Sequence, residues 1–233
     1  MRAENKNMTS MNAGIVFDII RGNGPVDNAK IALLAGLSIE NVIKITAGLA
    51  ESRLIKNIRE APSSGGRRTE MLVFDKTAYY LIGAEAGRKA LRVVITDLSG
   101  SVGIKLEAKT GKDLSSRAVT EGLTNLIDAA ISGSAIPKLC LLGLGIGIRG
   151  ALDPQSGRIV SSHDFPWTGA DLRTPLQNRF KLHTAVVEAD QAIESAKGWY
   201  GAGRDCGEDT IAAGSAICVL KAFIDMGSIY IRL

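Results

Sequence analysis

Three cysteines in 233 residues, Cys140, Cys206 and Cys218, are too few and too scattered for a disulfide framework, and none forms the C-x-x-C spacing of a local zinc site. That scarcity predicts isolated, buried thiols in a reducing compartment. An apolar leader is also missing: "MRAENKNMTSMN" is polar and charged, so no signal peptide is expected. The most apolar late stretch, "TIAAGSAICVLKAFIDMGSIYI" from Thr210, is broken by Lys221 and Asp225, which argues against a membrane helix. These absences predict a soluble, cytoplasmic protein with no membrane partner. With 45% hydrophobic and 22% charged residues the chain is globular in type, long enough for one large domain or two modest ones.

Charge of one sign is not in great excess either. The formal net charge is +4, which permits an anionic partner without requiring one. Its distribution is more informative, because up to Lys76 there are 11 basic against 8 acidic residues, leaving an excess of only one basic group for the remainder.

The basic end carries a recognisable order of elements. "NAGIVFDIIR", residues 12–21, has apolar side chains at helical spacing and closes on Gly-Asn-Gly-Pro. "DNAKIALLAG" follows as a short helix with Asp27 or Asn28 as cap and Gly36 at its end. A third helix begins after Ser38, with Glu40 adding acid to its first turn. Helix, helix, short turn, helix is the pattern of a helix-turn-helix.

"LIKNIREAP" and "TEMLVFD" then read as two strands joined by "SSGGRR", the hairpin wing of a winged helix. Arg67 and Arg68 at its tip would reach phosphates or the minor groove, while Ser38, Asn41 and Lys44 of the third helix are the candidate contacts in the major groove. Asn41 suits adenine, and Lys44 a phosphate or guanine. A plain structural three-helix module with a solvated hairpin stays open beside this reading, since Ile39 and Glu40 are unusual equipment for reading bases.

Beyond residue 76 the pattern changes to α/β. "YYLIGAEAG" and "ALRVVITDLSG" read as paired strands and "LSSRAVTEGLTNLIDAAIS" as a helix. The glycines at 143, 145, 147 and 150 in "KLCLLGLGIGIRGALDPQSGRIV" let backbone approach either other backbone or a ligand. "HTAVVEADQAIESAKGWYGAG" is a strand passing into a helix, with Glu188 and Asp190 at the junction, where Asp190 is either a helix cap or a chemical group.

A winged helix, a Gly-Gly-Arg wing, "TDLSG", "GIGIRGALDPQSGRIV", "DLRTPLQNRFKLHTAVVEAD" and "GWYGAG", in that order, resemble the ROK family, named for repressor, open reading frame and kinase. The resemblance implies an actin-like, hexokinase-like ATPase lobe that binds sugars and, with an N-terminal winged helix, a transcriptional regulator of carbohydrate genes. In the kinases of this family the first strand pair carries an Asp-x-Gly-Gly/Ala-Thr phosphate loop. Here "GAEAGRK" has Glu85 for the Asp, keeps Gly87, and puts Arg88 and Lys89 where a small residue and the Thr would stand. This is a degenerate phosphate loop that bulky Arg88 would crowd, so no ATP cofactor is expected.

The family's Glu-Asn-Asp reads Glu188-Ala189-Asp190, so Asp190 is the vestigial base position, and Asp190 with Glu188 are the sugar contacts the resemblance supplies. Arg149 replaces a usual Pro, and His163 with Asp164 stand where an Asn is common. After residue 205 the expected second lobe, its phosphate loop and its His-Cys zinc site have no counterpart, so no metal is expected and the chain reads as C-terminally truncated.

The expected organisation is therefore a winged helix-turn-helix at residues 1–76, a ROK-type actin-like first lobe at 77–205, and a divergent tail at 206–233. The expected function is a non-enzymatic, sequence-specific DNA-binding regulator, a repressor responding to a sugar or sugar phosphate and binding its operator as a homodimer. The rivals are a sugar kinase, disfavoured by the altered loop and the missing lobe, and a non-functional remnant exposing apolar surface.

Overall fold

A computed structural model describes residues 2–59, 70–200 and 207–225 and divides the chain into two units, residues 1–78 with 222–233 and residues 79–221. No single described helix is long and apolar enough to cross a membrane.

In the first unit, α1 (Arg2–Asn23) starts ten residues before the stretch marked by apolar spacing. The spacing marks only the part that buries Ala13, Val16, Phe17 and Ile20. The short helix α2 (Asn28–Ala35) is capped by Asp27, whose carboxylate accepts the Lys30 amide proton at 2.7 Å, and ends at Gly36, whose φ of 64° suits glycine. Next, α3 (Ile39–Glu51) is capped by the Ser38 hydroxyl, which accepts from the Asn41 amide, and buries Val42, Ile45, Thr46 and Leu49. The axes of α2 and α3 turn by 113°, and the Thr46 hydroxyl donates to Asn28 Oδ1 at 3.0 Å across that angle. The strands β1 (Ile55–Arg59) and β2 (Glu70–Phe74) then pair antiparallel from Ile55↔Phe74 to Arg59↔Glu70. Leu72 also bridges back to Val26, tying the ribbon to the start of α2. Arg67 and Arg68 lie outside the described residues.

The second unit is built on a five-stranded sheet in the order β5-β4-β3-β6-β9. Its strands are β3 (Tyr80–Ala86), β4 (Ala90–Asp97), β5 (Val102–Lys109), β6 (Leu141–Ile148) and β9 (His183–Glu188). Pairs β3–β4 and β4–β5 are antiparallel, and pairs β3–β6 and β6–β9 parallel. The strand β5 was not anticipated. It is an edge strand whose Lys105, Glu107 and Lys109 face solvent, so it lacks the apolar density that marks a buried strand.

The helices α4 (Ser116–Ser132) and α5 (Arg173–Phe180) belong to one core with Leu144, Ile146 and Ile148 of β6 and Ile82 of β3. A small ribbon, β7 (Gly150–Leu152) with β8 (Ile159–Ser162), leads out of β6. The opposite sheet face takes α6 (Ala189–Tyr200) and α7 (Thr210–Asp225). Successive side chains of a strand point to opposite faces, so the "LGLGIGI" of β6 turns large residues to α4 and glycines to α7. A Cβ at Gly83 would collide with the Ala212 carbonyl, and one at Gly145 with the Ser215 carbonyl. The glycine run thus admits backbone. The segment read as a divergent tail holds residues 207–221 within the second unit, buried at Ala212, Ala213, Ala216 and Ile217.

Gly145→Ala is expected to destabilise the second unit by about 1–3 kcal/mol or more, because its new methyl overpacks against an immovable carbonyl. Gly111→Ala, where a Cβ meets nothing within 4 Å, is the neutral control. Urea unfolding followed by fluorescence checks this, since Trp167 and Trp199 are the chain's two tryptophans and both belong to this unit.

Candidate functional sites

Two places gather chemistry, one in each unit. In the first, the face of α3 opposite its buried residues presents Glu40, Ile43, Lys44 and Ala47. Lys44 is exposed. Asn41 is exposed too, but at 3.6 residues per turn it falls on the far flank from Ile43. The Ser38 hydroxyl is engaged in capping the helix. Ile39, which the sequence marks as unusual equipment for reading bases, is 48% exposed, and Ile43, which the sequence reading passes over, is 49% exposed. Their signal was present as apolar residues left over once the buried stripe of α3 is assigned.

In the second unit, a charge ladder crosses the sheet on the face that carries α7. Glu85, Arg92 and Glu107 are directly paired across β3, β4 and β5. Glu85 is 2% exposed. Its Oε2 accepts from Arg92 Nη1 at 3.2 Å, and Arg92 Nε donates to Glu107 at 2.8 Å. Arg149 comes from the other side, its Nη2 3.3 Å from Glu85 Oε1 and its Nη1 3.5 Å from Asp164. That first contact is within ion-pair reach but misaligned for a hydrogen bond, so among the described residues Oε1 has no hydrogen-bond partner. Gly147 is the β6 residue opposite Glu85. A Cβ at Gly147 would meet Ile211 and Ser215 of α7, and the Arg149 guanidinium reaches Glu85 from two residues further along the chain.

Glu85, Arg92, Arg149 and Asp164 line a cavity of about 760 Å³, together with Gly87, Arg88, Lys89, Lys197, Glu208 and Thr210. The residues of the altered phosphate loop, Glu85, Gly87 and Lys89, are therefore gathered at one place, with Arg88 and Lys89 exposed on the turn between β3 and β4. The proposed sugar contacts are not brought there. Asp190 is exposed in the first turn of α6, and the Glu188 carboxylate accepts from the Leu152 amide at 3.0 Å, holding β7 against the end of β9. His163 is exposed, whereas its neighbour Asp164 reaches the cavity. The described thiols, Cys140 and Cys218, are half-buried and unpaired by disulfide rather than fully buried. Among the described residues no three His, Cys, Asp or Glu side chains gather to hold a metal ion.

Burial raises the Glu85 carboxyl above its ordinary 4.5, and the nearby Asp164 pushes the same way, while Arg92 and Arg149 pull against them. A carboxyl raised in the folded state binds a proton there that the unfolded chain has already lost. Its contribution to stability is present below 4.5 and is lost as pH rises through the raised value. Glu85→Gln removes that titration, while Arg92 keeps Glu107 and Arg149 keeps Asp164. Wild type is expected to lose more stability than this variant between pH 4.5 and neutrality, as read by urea midpoints across a pH series.

The model describing the ROK family matches residues 81–213. The DNA-binding transcriptional dual regulator NagC of Escherichia coli K12 is 28% identical over 201 residues, covering 86% of this chain and 49% of that protein. The xylose repressor of Bacillus spizizenii is 28% identical over 196 residues, covering 84% of this chain and 50% of its own length. A crystal structure of a ROK family transcriptional regulator, a homolog of the E. coli MLC protein, superposes with a TM-score of 0.71 at 18% identity, covering 83% of this chain and 49% of that one. The chain spans about half the length of the curated relatives it matches.

Proposed function

The chain belongs to the ROK family, and from that premise we propose that it acts as a DNA-binding transcriptional regulator, a repressor of carbohydrate-utilisation genes that answers to a sugar or sugar-phosphate effector. The observation that carries this is the pair of helices crossing at 113°, followed by an antiparallel ribbon, at the start of a chain related to a DNA-binding regulator and to sugar-named repressors. We read residues 1–76 as a winged helix-turn-helix with α3 in the major groove. The three contributions are distinct. Lys44 supplies charge, Arg67 and Arg68 a wing reaching phosphates or the minor groove, and a homodimer the symmetry that matches two half-sites.

The second unit is read as an actin-like first lobe, extended beyond the expected residues 77–205 by residues 207–221, with Asp190 as its sugar contact, since Glu188 accepts from the Leu152 amide. An exposed carboxylate at a helix start can accept from sugar hydroxyls. Kinase activity is disfavoured by the altered loop: Glu85 is held between two arginines, and Arg88 and Lys89 crowd the turn where a phosphate would need small residues and a hydroxyl.

The reading is tested by fluorescence anisotropy of the purified full chain on upstream-region and random duplexes across a salt series. Tight, salt-sensitive binding that prefers the upstream region is expected, and no DNA binding by a folded sample overturns it. Arg67→Ala with Arg68→Ala is expected to shallow the slope of log K against log salt by about two, one per lost phosphate contact. Asp190→Asn is expected to leave DNA binding intact and to weaken release by the sugar that acts on wild type.

A further inference from the structure

Building on the DNA-binding reading, we propose that α3 reads its operator through apolar contact between Ile39 and Ile43 and the C5-methyl groups of thymine. Folding does not account for these two side chains. The inward face of α3 is already filled by Val42, Ile45, Thr46 and Leu49, yet Ile39 and Ile43 stand 48% and 49% exposed. They are four residues apart, so they stack along one side of the helix. Ile43 borders the outward group Glu40, Lys44 and Ala47, the first turns that a recognition helix offers to base edges.

A major groove offers donors, acceptors and a single apolar group, the thymine methyl. Two isoleucines complement only that group, whereas Glu40 can accept from cytosine N4 and Lys44 can reach phosphate or guanine. The exposed charges of α3 itself are Glu40, Lys44 and Glu51, so attraction of a polyanion comes from the wider segment: Lys30 and Arg53 are exposed on α2 and just after α3, and the chain up to Lys76 holds 11 basic against 8 acidic residues. Leu33 and Leu34 at the end of α2 are also exposed, at 81% and 50%. The rival occupant of an apolar α2–α3 face is a second copy of this chain, and the test separates the two.

Duplexes are selected from a random pool with the full chain, and each thymine of the enriched half-site is then replaced by deoxyuridine, which deletes only the methyl group. Wild type is expected to lose about fourfold in affinity at each contacted position, the equivalent of one buried methyl. Ile43→Ala and Ile39→Ala, surface changes whose folding is checked by circular dichroism, should each bind the thymine and uracil forms of one position equally. The proposal fails if wild type is indifferent to every methyl, or if both variants keep the full discrimination. It also fails if the variants lose self-association at an unchanged thymine-to-uracil ratio, which assigns the isoleucines to a protein interface. Failure to enrich any duplex overturns the DNA-binding reading itself, whereas enrichment without methyl sensitivity overturns this inference alone.

Discussion

Backbone-to-backbone contact between the two central strands and α7 is the constraint on which the second unit depends. Gly83 and Gly145 are paired across β3 and β6, and beneath them lie the carbonyls of Ala212 and Ser215. The helix side answers in kind: a Cβ at Gly214 would strike the Ala192 carbonyl of α6. Small residues on three elements allow an approach that ordinary side chains would prevent. Density of contact at that range substitutes for bulk, since dispersion falls steeply with each added fraction of an ångström. The other face of the same strands solves the opposite problem with large side chains, packing Ile82, Leu144 and Ile146 among Leu123, Ile127 and Leu176.

That economy of side chains also explains why the charge ladder sits where it does. On the α7 face, β3 places Gly83 and then Glu85, and β6 places Gly145 and then Gly147. Gly147 still lies against Ile211 and Ser215 of α7, while at the same level β3 and β4 carry the charged pair Glu85 and Arg92. A buried carboxylate is costly unless its partners are close. Arg92 supplies one partner from the neighbouring strand and Arg149 the other from the end of β6. Each arginine is itself shared outward, with Glu107 and Glu208 on one side and Asp164 on the other. The turn that would cradle a phosphate in a kinase of this family is here bordered by a closed set of ion pairs.

Much of this was legible in the sequence. Caps announced α2 and α3, because Asp27, Ser38 and Gly36 have local conformational reasons to stand where they do. The fully buried strands β3, β4 and β6 were marked by continuous apolar runs. The edge strand β5 was hidden because its exposed positions carry charge, and α5 because "RTPLQNRF" buries only Leu176 and Phe180. The glycines of β6 left two readings open, and only the position of α7 decides between them. Ion-pair geometry was the least legible part, since Arg92, Glu107 and Arg149 are separated in sequence and meet through strand register. Glu188 shows the limit of motif transfer: its carboxylate serves the Leu152 amide, a structural duty that its place in "VEAD" does not reveal.

The exposed cations of the first unit bear on how a polyanion would meet it, because paired charges such as Lys56 with Asp75 offer little net field beyond a Debye length of about 8 Å at physiological salt. In the first unit Lys30, Lys44 and Arg53 are exposed, and none has an ion-pair partner among the described residues. Unpaired surface charge on a short basic segment attracts phosphate at a distance, while the apolar face of α3 acts only at contact. On the proposed DNA-binding reading, long-range attraction and short-range selection are divided between different side chains of the same small unit. A regulator that must search duplex DNA before it settles needs that division, because the first property is indifferent to sequence and the second is not.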